Sequence, residues 1–410
     1  MPIIRRYFSA QINEISKDAA LRFYGAFLAV GQVLTFWVWH VGKAANYLSD
    51  EARPVCWPFF ENCFRYRFFS YDEARLILFL FGLVSVIGVL LFLSNKLCAA
   101  AYGWLIFVNF FKTLIYIQDY SLRLNQHYMW YFATFVFLFL PNKRRLLRYT
   151  LVLFYVWASV LKYNMEWLSG GALYAKPLWI PGLLIPAACY YVVILESFIV
   201  LGVLSRTRWV YWSALFQLSL FHIVSWPVVG FFYPLLMFAL LTIFPLTYFI
   251  SDPSESKSLF TSLTQGKEPR VTYFFIAFFS FLQLIPIIMP GDEKVTGEGR
   301  LFSLHMFDAQ VFCKGAIILK FKDGTKQEFP IPLKEIGTPR IKCDPIVSFS
   351  RAKQLCAQFR GDQAFLDLDL VYEARRAHEK TMKPLVDVKD FCGQNLSYDL
   401  FRPNDWIIKD

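Results

Sequence analysis

A lysine near the end of a long apolar stretch is the residue best placed for chemistry in this sequence. The stretch from Tyr155 reads YVWASVLKYNMEWLSGG, so Lys162 is followed by Glu166, Trp167 and two glycines that must end any helix. We expect its amine where hydrocarbon gives way to protein interior or to lipid headgroups. Ionisable groups at that depth are costly and often functional. The alternative is a lysine that extends to the interface without a chemical role.

Other polar residues interrupt the apolar stretches. Glu196 lies in the middle of one of them, where we expect it to be protonated or paired with a lysine such as Lys112 or with an arginine, as a structural polar clamp. For His127 an interfacial helix cap is an alternative to a functional role, and for His222 the alternative is packing. Under one topology, however, Lys162 and both histidines fall toward the outer leaflet. This convergence favours a functional site.

The composition is that of a membrane protein. Of the 410 residues, 56% are hydrophobic and 19% aromatic, and the mean hydropathy is +0.40. Residues 1–289 carry 23 Lys and Arg against 13 Asp and Glu, whereas residues 290–410 carry 19 against 18. The basic excess therefore lies between apolar segments, as the positive-inside rule expects, and nucleic-acid binding has no support.

The apolar segments predict a polytopic α-helical membrane protein of about nine transmembrane helices, with a small extracytoplasmic C-terminal α+β domain. The transmembrane domain covers 1–289 and the outer domain 290–410. The fourth and fifth spans are short for a bilayer and can be tilted or half-buried in protein. The predicted spans are 21–41, 75–94, 97–117, 128–141, 148–165, 183–204, 209–226, 229–250 and 271–289.

The basic loops predict how the chain is oriented. The clusters at 143–148 and 206–208 lie in loops that face inward if the N-terminus is cytoplasmic. Nine spans then place the C-terminal domain outside the cytoplasm. We expect an integral protein of a plasma membrane, such as a bacterial inner membrane. No cleavable signal peptide is expected, because the first apolar run is long enough to span.

Cysteines are concentrated in the predicted outer regions. Cys56 and Cys63, in the first outer loop, predict a local disulfide, with a pair of free thiols as the alternative. Zinc is not expected there, because no histidine lies at ligand spacing. Cys98 and Cys189 lie in predicted spans as inert apolar residues. Four more cysteines allow three pairings among which the sequence does not choose, namely Cys313, Cys343, Cys356 and Cys392.

The C-terminal region has the patterns of a small mixed domain. A hairpin is predicted from strands 311–322 and 325–331, with Asp323-Gly324 at the turn. Ser348 or Ser350 is expected to cap a helix that runs to about Phe359. Alternating apolar residues predict another strand over 364–372.

The motif around Lys162 resembles the vitamin K-dependent gamma-carboxylase family and its bacterial relatives, which share the horizontally transferred transmembrane (HTTM) domain. The family pattern is a lysine pair, an acidic residue, Asp-Trp and then Gly. Lys162 matches the second lysine, Leu161 stands in place of the first, and Glu166-Trp167 replaces Asp-Trp.

Further segments are similar to the family along nearly the whole chain. Gln126-His127 is similar to its Asn-His, and Phe221-His222 with the GFFYP segment at 230–234 is similar to its His and Gly-Met-Phe segment. The segments 301–306 and 318–325 look like its Tyr-Ser-Trp-Asp-Met and its strand with an Asp-Gly turn. Leu304, however, replaces the family's tryptophan, and 284–289 is apolar. The quinone half of the site therefore matches better than the glutamate half.

The resemblance implies a membrane enzyme that couples two reactions. In the first, O2 oxidises a reduced naphthoquinone, of the vitamin K or menaquinone type, to an epoxide. In the second, a glutamate or similar acid is carboxylated by CO2. Lys162 would be the base, since only a neutral, desolvated amine accepts a proton near neutral pH. His127 would hydrogen-bond the quinone oxygen or the developing oxyanion. No metal is implied. The quinone-binding residues would be Gln126, His222 and Trp167, and the structural polar residues Glu166 and Glu196.

Two functions from different classes follow. The first is the quinone-dependent enzyme, whose partners would be membrane lipid, an isoprenoid quinone and a glutamate-containing peptide or protein. The second is a non-catalytic membrane protein that keeps the fold to bind a quinone, a lipid or a partner. A transporter is a distant third, because no internal repeat is evident.

Overall fold

Most of the apolar stretches form helices in the computed structural model, which describes residues 2–51, 53–173, 176–250, 259–304, 309–332 and 341–409. The longer helices are α1 Pro2–Lys17, α2 Ala19–Val41, α3 Tyr71–Leu93, α4 Cys98–Tyr116, α5 Asn125–Phe139, α6 Lys143–Val160, α7 Ile185–Ser197, α8 Arg208–Val229, α9 Phe232–Leu241, α10 Ile243–Phe249, α11 Arg270–Ile288 and α12 Pro345–Phe359. Single helical turns are Ala45–Leu48, Met165–Leu168, Leu259–Thr264 and Glu293–Thr296. The 3-10 turns are Pro58–Phe60, Cys63–Tyr66, Asn95–Leu97, Tyr120–Leu122, Gly171–Leu173, Gly182–Leu184, Ile199–Leu204 and Arg300–Phe302.

Seven helical segments in the described part of the chain are long and apolar enough to cross a membrane, rather than the nine predicted. They are Ala19–Val41, Tyr71–Leu93, Cys98–Tyr116, Gly182–Leu204, Arg208–Val229, Phe232–Phe249 and Arg270–Ile288. The two that fall short are α5, with 15 residues, and α6, which begins with a run of basic residues. Because α6 packs against α5, α7 and α11, it lies inside the bundle and needs little lipid-facing surface.

Local signals in the sequence set several helix ends. Asp18 caps α2 by accepting from the backbone N–H of Ala20, and Ser70 and Glu73 form a capping box at the start of α3. Gly230 caps the end of α8, and its φ of 75° is readily adopted by glycine but strained for other residues.

The basic start of α6 is bound to acidic residues from other elements. Arg144 lies 2.9 Å from Asp18, and Arg145 lies 2.8 Å from Glu268, just before α11. The side chain of Glu14, in α1, accepts a hydrogen bond of 2.7 Å from a backbone N–H at the start of α6. Three segments predicted to be cytoplasmic therefore meet on one face of the bundle.

The C-terminal region forms a four-stranded antiparallel sheet covered by α12. The strands are β1 Val311–Phe321, β2 Lys326–Ile331, β3 Phe365–Arg376 and β4 Lys383–Val388, in the order β2-β1-β3-β4. The predicted hairpin is confirmed, β3 extends beyond the predicted 364–372, and the short β4 was not predicted.

The helix cap in this domain differs from the prediction. Asp344 caps α12 by accepting from the backbone N–H of Ile346, whereas Ser348 and Ser350 are buried within the helix. The physical reason is Pro345, which starts the helix earlier by occupying its first turn, where a missing N–H costs nothing.

The core of this domain crosses the predicted boundary at 289. Val55 and Trp57 from the first outer loop, and Tyr120 from the turn after α4, are buried among the sheet and α12 residues. Ser350 of α12 accepts a hydrogen bond of 2.9 Å from the backbone N–H of Cys56. The first outer loop is thus packed as part of the C-terminal domain.

Three disulfides lie among the described residues. Cys56–Cys63 confirms the predicted local bridge, and the remaining pairs are Cys313–Cys343 and Cys356–Cys392, with Cα separations of 5.6 and 5.5 Å. The pairing was not predictable, because it depends on which strands and helices become neighbours. Cys98 and Cys189 are buried thiols, as expected.

Replacing both Cys356 and Cys392 by serine is expected to destabilise the C-terminal domain by about 4 kcal/mol, because their bridge closes a long loop. The matched control removes Cys56 and Cys63, whose short loop predicts a loss of about 2 kcal/mol. The measurement is thermal unfolding, with peptide mapping under non-reducing conditions. Free thiols at these positions in the wild-type protein would refute the pairing.

Candidate functional site

A half-open cavity of about 380 Å³ lies between the membrane helices and the C-terminal domain, and Lys162 lines it. One wall comes from α7 and α8, another from the segment before α5, and the remainder from the C-terminal domain and the segment after the Lys162 motif. Apolar side chains predominate on the helical wall. The residues that matter for its chemistry are Lys162, Trp167, Gln126, Tyr233, Arg123, Lys176, Arg300 and Asp344.

The turn after α6 positions Lys162. Asn164 caps the turn Met165–Leu168 by accepting from the backbone N–H of Trp167 at 2.9 Å, and Gly170, with φ at 83°, ends it. The ring N–H of Trp167 donates to the carbonyl of Cys189 in α7 at 3.1 Å. The Lys162 amine lies 5.3 Å from the centre of the Trp167 ring. The motif thus fixes an aromatic face and an amine side by side in the cavity wall.

Lys162 is paired with Glu196 inside the bundle. The Nζ–Oε2 distance is 2.5 Å, and the two side chains are 3% and 0% exposed. The prediction that Glu196 pairs with a lysine is confirmed, but the lysine is Lys162 and not Lys112, which faces the ring of Tyr131 at 4.8 Å. Removing two opposite charges from water costs several kcal/mol per ion, so the pair depends on its short hydrogen bond.

The predicted histidines do not line this cavity. His127 is fully buried, and its ring contacts Trp39, Tyr116 and Phe232, with both ring nitrogens lacking a hydrogen-bond partner among the described residues. Its neighbour Gln126 does line the cavity. Of the three residues that were expected to converge on one site, Lys162, His127 and His222, only Lys162 lines the cavity.

His222 lies behind the cavity wall. Its Nε2 is 2.6 Å from the hydroxyl of Tyr155, and its ring packs 5.5 Å from that of Tyr233, which lines the cavity. His222 can therefore hold Tyr233 in place but does not itself face a ligand.

Glu166 connects the Lys162 motif to the C-terminal domain. Its buried carboxylate accepts from the backbone N–H of Gln310 at 3.0 Å and lies 3.3 Å from His378 Nδ1 and 3.9 Å from Arg376 Nη1. Arg376 also forms a bidentate pair with Asp292. Burial alone would raise the pKa of Asp292, but the hydrogen bonds and charge of Arg376 lower it below the ordinary value. These contacts agree with a structural role for Glu166.

Two arginines that were not predicted as site residues, Arg123 and Arg300, also line the cavity. Arg123 donates to the Tyr120 hydroxyl at 2.7 Å, and that hydroxyl donates to Asp344 at 2.9 Å. Arg123 also donates to the carbonyl of Arg300. Their positions in the sequence could have indicated them, because Arg123 precedes Gln126-His127 and Arg300 precedes the segment at 301–306.

Lys162 and two arginines thus line the same mainly apolar cavity. No family model, curated protein or solved structure matches this chain. The similarity to the gamma-carboxylases therefore rests on the residues around Lys162 and the shorter segments quoted with them.

Proposed function

We propose that this protein is a membrane enzyme that binds a reduced quinone in the Lys162 cavity and uses Lys162 as the base in an oxidation coupled to modification of an acidic substrate. The observation that carries the proposal is a buried amine in the wall of a mainly apolar cavity. Carboxylation of a glutamate or similar acid is the reaction that the resemblance suggests. CO2 and O2 would be the co-substrates.

The cavity suits an aromatic ring with an apolar tail. Its volume falls within the roughly 300–1,000 Å³ of small-molecule sites. Trp167 offers a flat face beside the amine, and Phe221, Val192 and Val228 supply apolar contacts. A reduced naphthoquinone would supply the hydroxyl proton and the electrons for reaction with O2.

The residues that line the cavity then have distinct roles in the proposed reaction. As a base, Lys162 Nζ accepts the hydroxyl proton of the ligand, with Glu196 Oε2 as its hydrogen-bond partner at 2.5 Å. Gln126 is placed to donate to a ligand oxygen, a task that the resemblance assigned to His127. The apolar walls exclude water and so keep the amine desolvated.

The orientation is also a proposal, supported by two features. Without α5 and α6 the chain crosses the membrane seven times instead of nine. Because both numbers are odd, the N-terminus and the C-terminal domain lie on opposite sides of the membrane in either case. The C-terminal domain also contains two disulfides, which persist on the oxidising side of a membrane.

A cysteine placed at the exposed Lys322 should therefore react with an impermeant thiol reagent in intact cells, and one at the exposed Gln265 should not. Background labelling is low, since the other cysteines are bridged or buried. Labelling at Gln265→Cys with protection at Lys322→Cys would reverse the orientation.

The binding half of the proposal is tested by mass spectrometry of protein purified in mild detergent. We expect an isoprenoid quinone at close to one equivalent, and its loss when Val192→Trp fills the cavity wall. Extraction of phospholipid without quinone, together with no binding of an added naphthoquinone, would refute the proposal.

The second candidate is a non-catalytic quinone- or lipid-binding protein. The observation that favours it is the Lys162–Glu196 pair, because an amine held by a carboxylate can act as a neutral clamp. Quinone binding without any O2 uptake above that of a boiled sample would favour this candidate.

A further inference from the structure

The apolar wall of the cavity, formed by α7 and α8, is partly exposed at the protein surface. Helix α8 packs along Ile199–Leu204 and far less against α7 itself, so the two helices separate toward the cavity. Val224 lines the cavity and is nevertheless 42% exposed. Just before α7, Leu183 is 91% exposed. Where α7 and α8 cross a bilayer, exposed apolar side chains of this kind would face acyl chains, and the gap between the two helices would open the cavity sideways to the lipid.

In the part of the cavity lining that the structure describes, positive charge exceeds negative charge. Arg123 and Arg300 line the cavity together with the carboxylate of Asp344, whose oxygens already accept from Tyr120 and from the start of α12. The pair of Lys162 with Glu196 adds no net charge.

Arg300 has unused hydrogen-bonding capacity. It is 6% exposed and donates to the carbonyl of Lys294, but its Nε has no hydrogen-bond partner among the described residues. A buried donor without an acceptor is costly, and a guanidinium is suited to a carboxylate or phosphate. A quinone has no anionic group, so these arginines point to a different ligand.

We propose that the cavity binds an anionic amphiphile that enters sideways from the outer leaflet, with its acidic head at Arg123 and Arg300 and its chain between α7 and α8. This inference rests on the proposed function in one respect, namely that the amphiphile is the acidic substrate. The substrate would reach the cavity from the membrane and not from water. A carboxylate head best suits the site, because a guanidinium binds a carboxylate through paired charge-assisted hydrogen bonds and the proposed reaction modifies an acidic substrate.

The probe is dibromostearate, whose bromines quench tryptophan fluorescence on contact. Titrated into the detergent-purified protein, it is expected to quench saturably, and the saturable part should vanish in Trp167→Phe, because Trp167 lines the cavity. The uncharged methyl ester should bind at least about 10-fold more weakly, since it lacks the charge-assisted hydrogen bonds. Equal binding of acid and ester by the wild-type protein would overturn the proposal.

The role of Arg300 is tested with Arg300→Gln, which we expect to weaken dibromostearate binding about 10-fold. The control is Lys326→Gln, which removes an exposed charge from β2 and should have no effect. Displacement by phosphatidylglycerol but not by phosphatidylcholine supports an anionic headgroup at this site. Displacement by soluble glutarate at similar concentration contradicts entry from the membrane. All these measurements are made without O2 or quinone, so failure of Lys162 as a base would leave them unchanged.

Discussion

Replacing Lys162 by arginine is expected to remove turnover, by roughly 10²–10⁴-fold, while the protein still folds and retains quinone. A guanidinium keeps the positive charge and can keep an ion pair with Glu196, but it does not give up its proton near neutral pH. Charge alone therefore cannot replace a base. The assay is O2 uptake with a reduced naphthoquinone, which does not require the acidic substrate to be known.

Two further variants accompany this test. Lys162→Ala should also lose turnover but, unlike Lys162→Arg, leaves Glu196 without its partner and so loses stability as well. Lys314→Arg, at an exposed residue of β1, should remain like the wild type. A Lys162→Arg protein with wild-type turnover would contradict the base assignment and leave only a role in charge pairing.

The second large effect is on stability. Glu196→Met leaves an amine buried without its partner and is expected to cost about 3–5 kcal/mol, and Lys162→Met is expected to cost a similar amount. The double substitution should recover most of this loss, because no uncompensated charge remains and methionines fill similar volume. Thermal unfolding in detergent measures all three variants.

Lys112→Met provides the matched control for this cycle. Lys112 is equally buried, but its amine has no hydrogen-bond partner among the described residues, so its removal should be neutral or stabilising. If the losses from Lys162→Met and Glu196→Met simply add in the double variant, the two side chains are not coupled and the pair has no energetic role.

The local features of the fold were accessible from the sequence. Apolar runs predicted the positions of seven described helices that are long and apolar enough to cross a membrane, and Asp323-Gly324 between alternating strands predicted the hairpin. These signals depend on residues that are close in sequence. The two further predicted spans correspond to α5 and α6, of which α5 has only 15 residues and α6 begins with a run of basic residues.

The site was only partly predictable, because its contacts join distant parts of the chain. Lys162 was recognised from its own motif, but its partner Glu196 lies on another helix. Arg123 and Arg300 are 177 residues apart and meet only because the C-terminal domain packs against the segment before α5. His127 illustrates the opposite error. It directly follows a cavity residue but points into an aromatic cluster, because neighbouring helical positions face different directions.

The most direct test of quinone chemistry in the Lys162 cavity is to supply the purified wild-type protein with a reduced naphthoquinone and isotopically labelled O2, and to analyse the quinone product by mass spectrometry. The predicted result is an epoxide that carries oxygen from O2, formed over repeated turnovers and absent with Lys162→Arg. The contradicting result is a quinone that binds to the protein but is oxidised no faster than in buffer, without labelled epoxide.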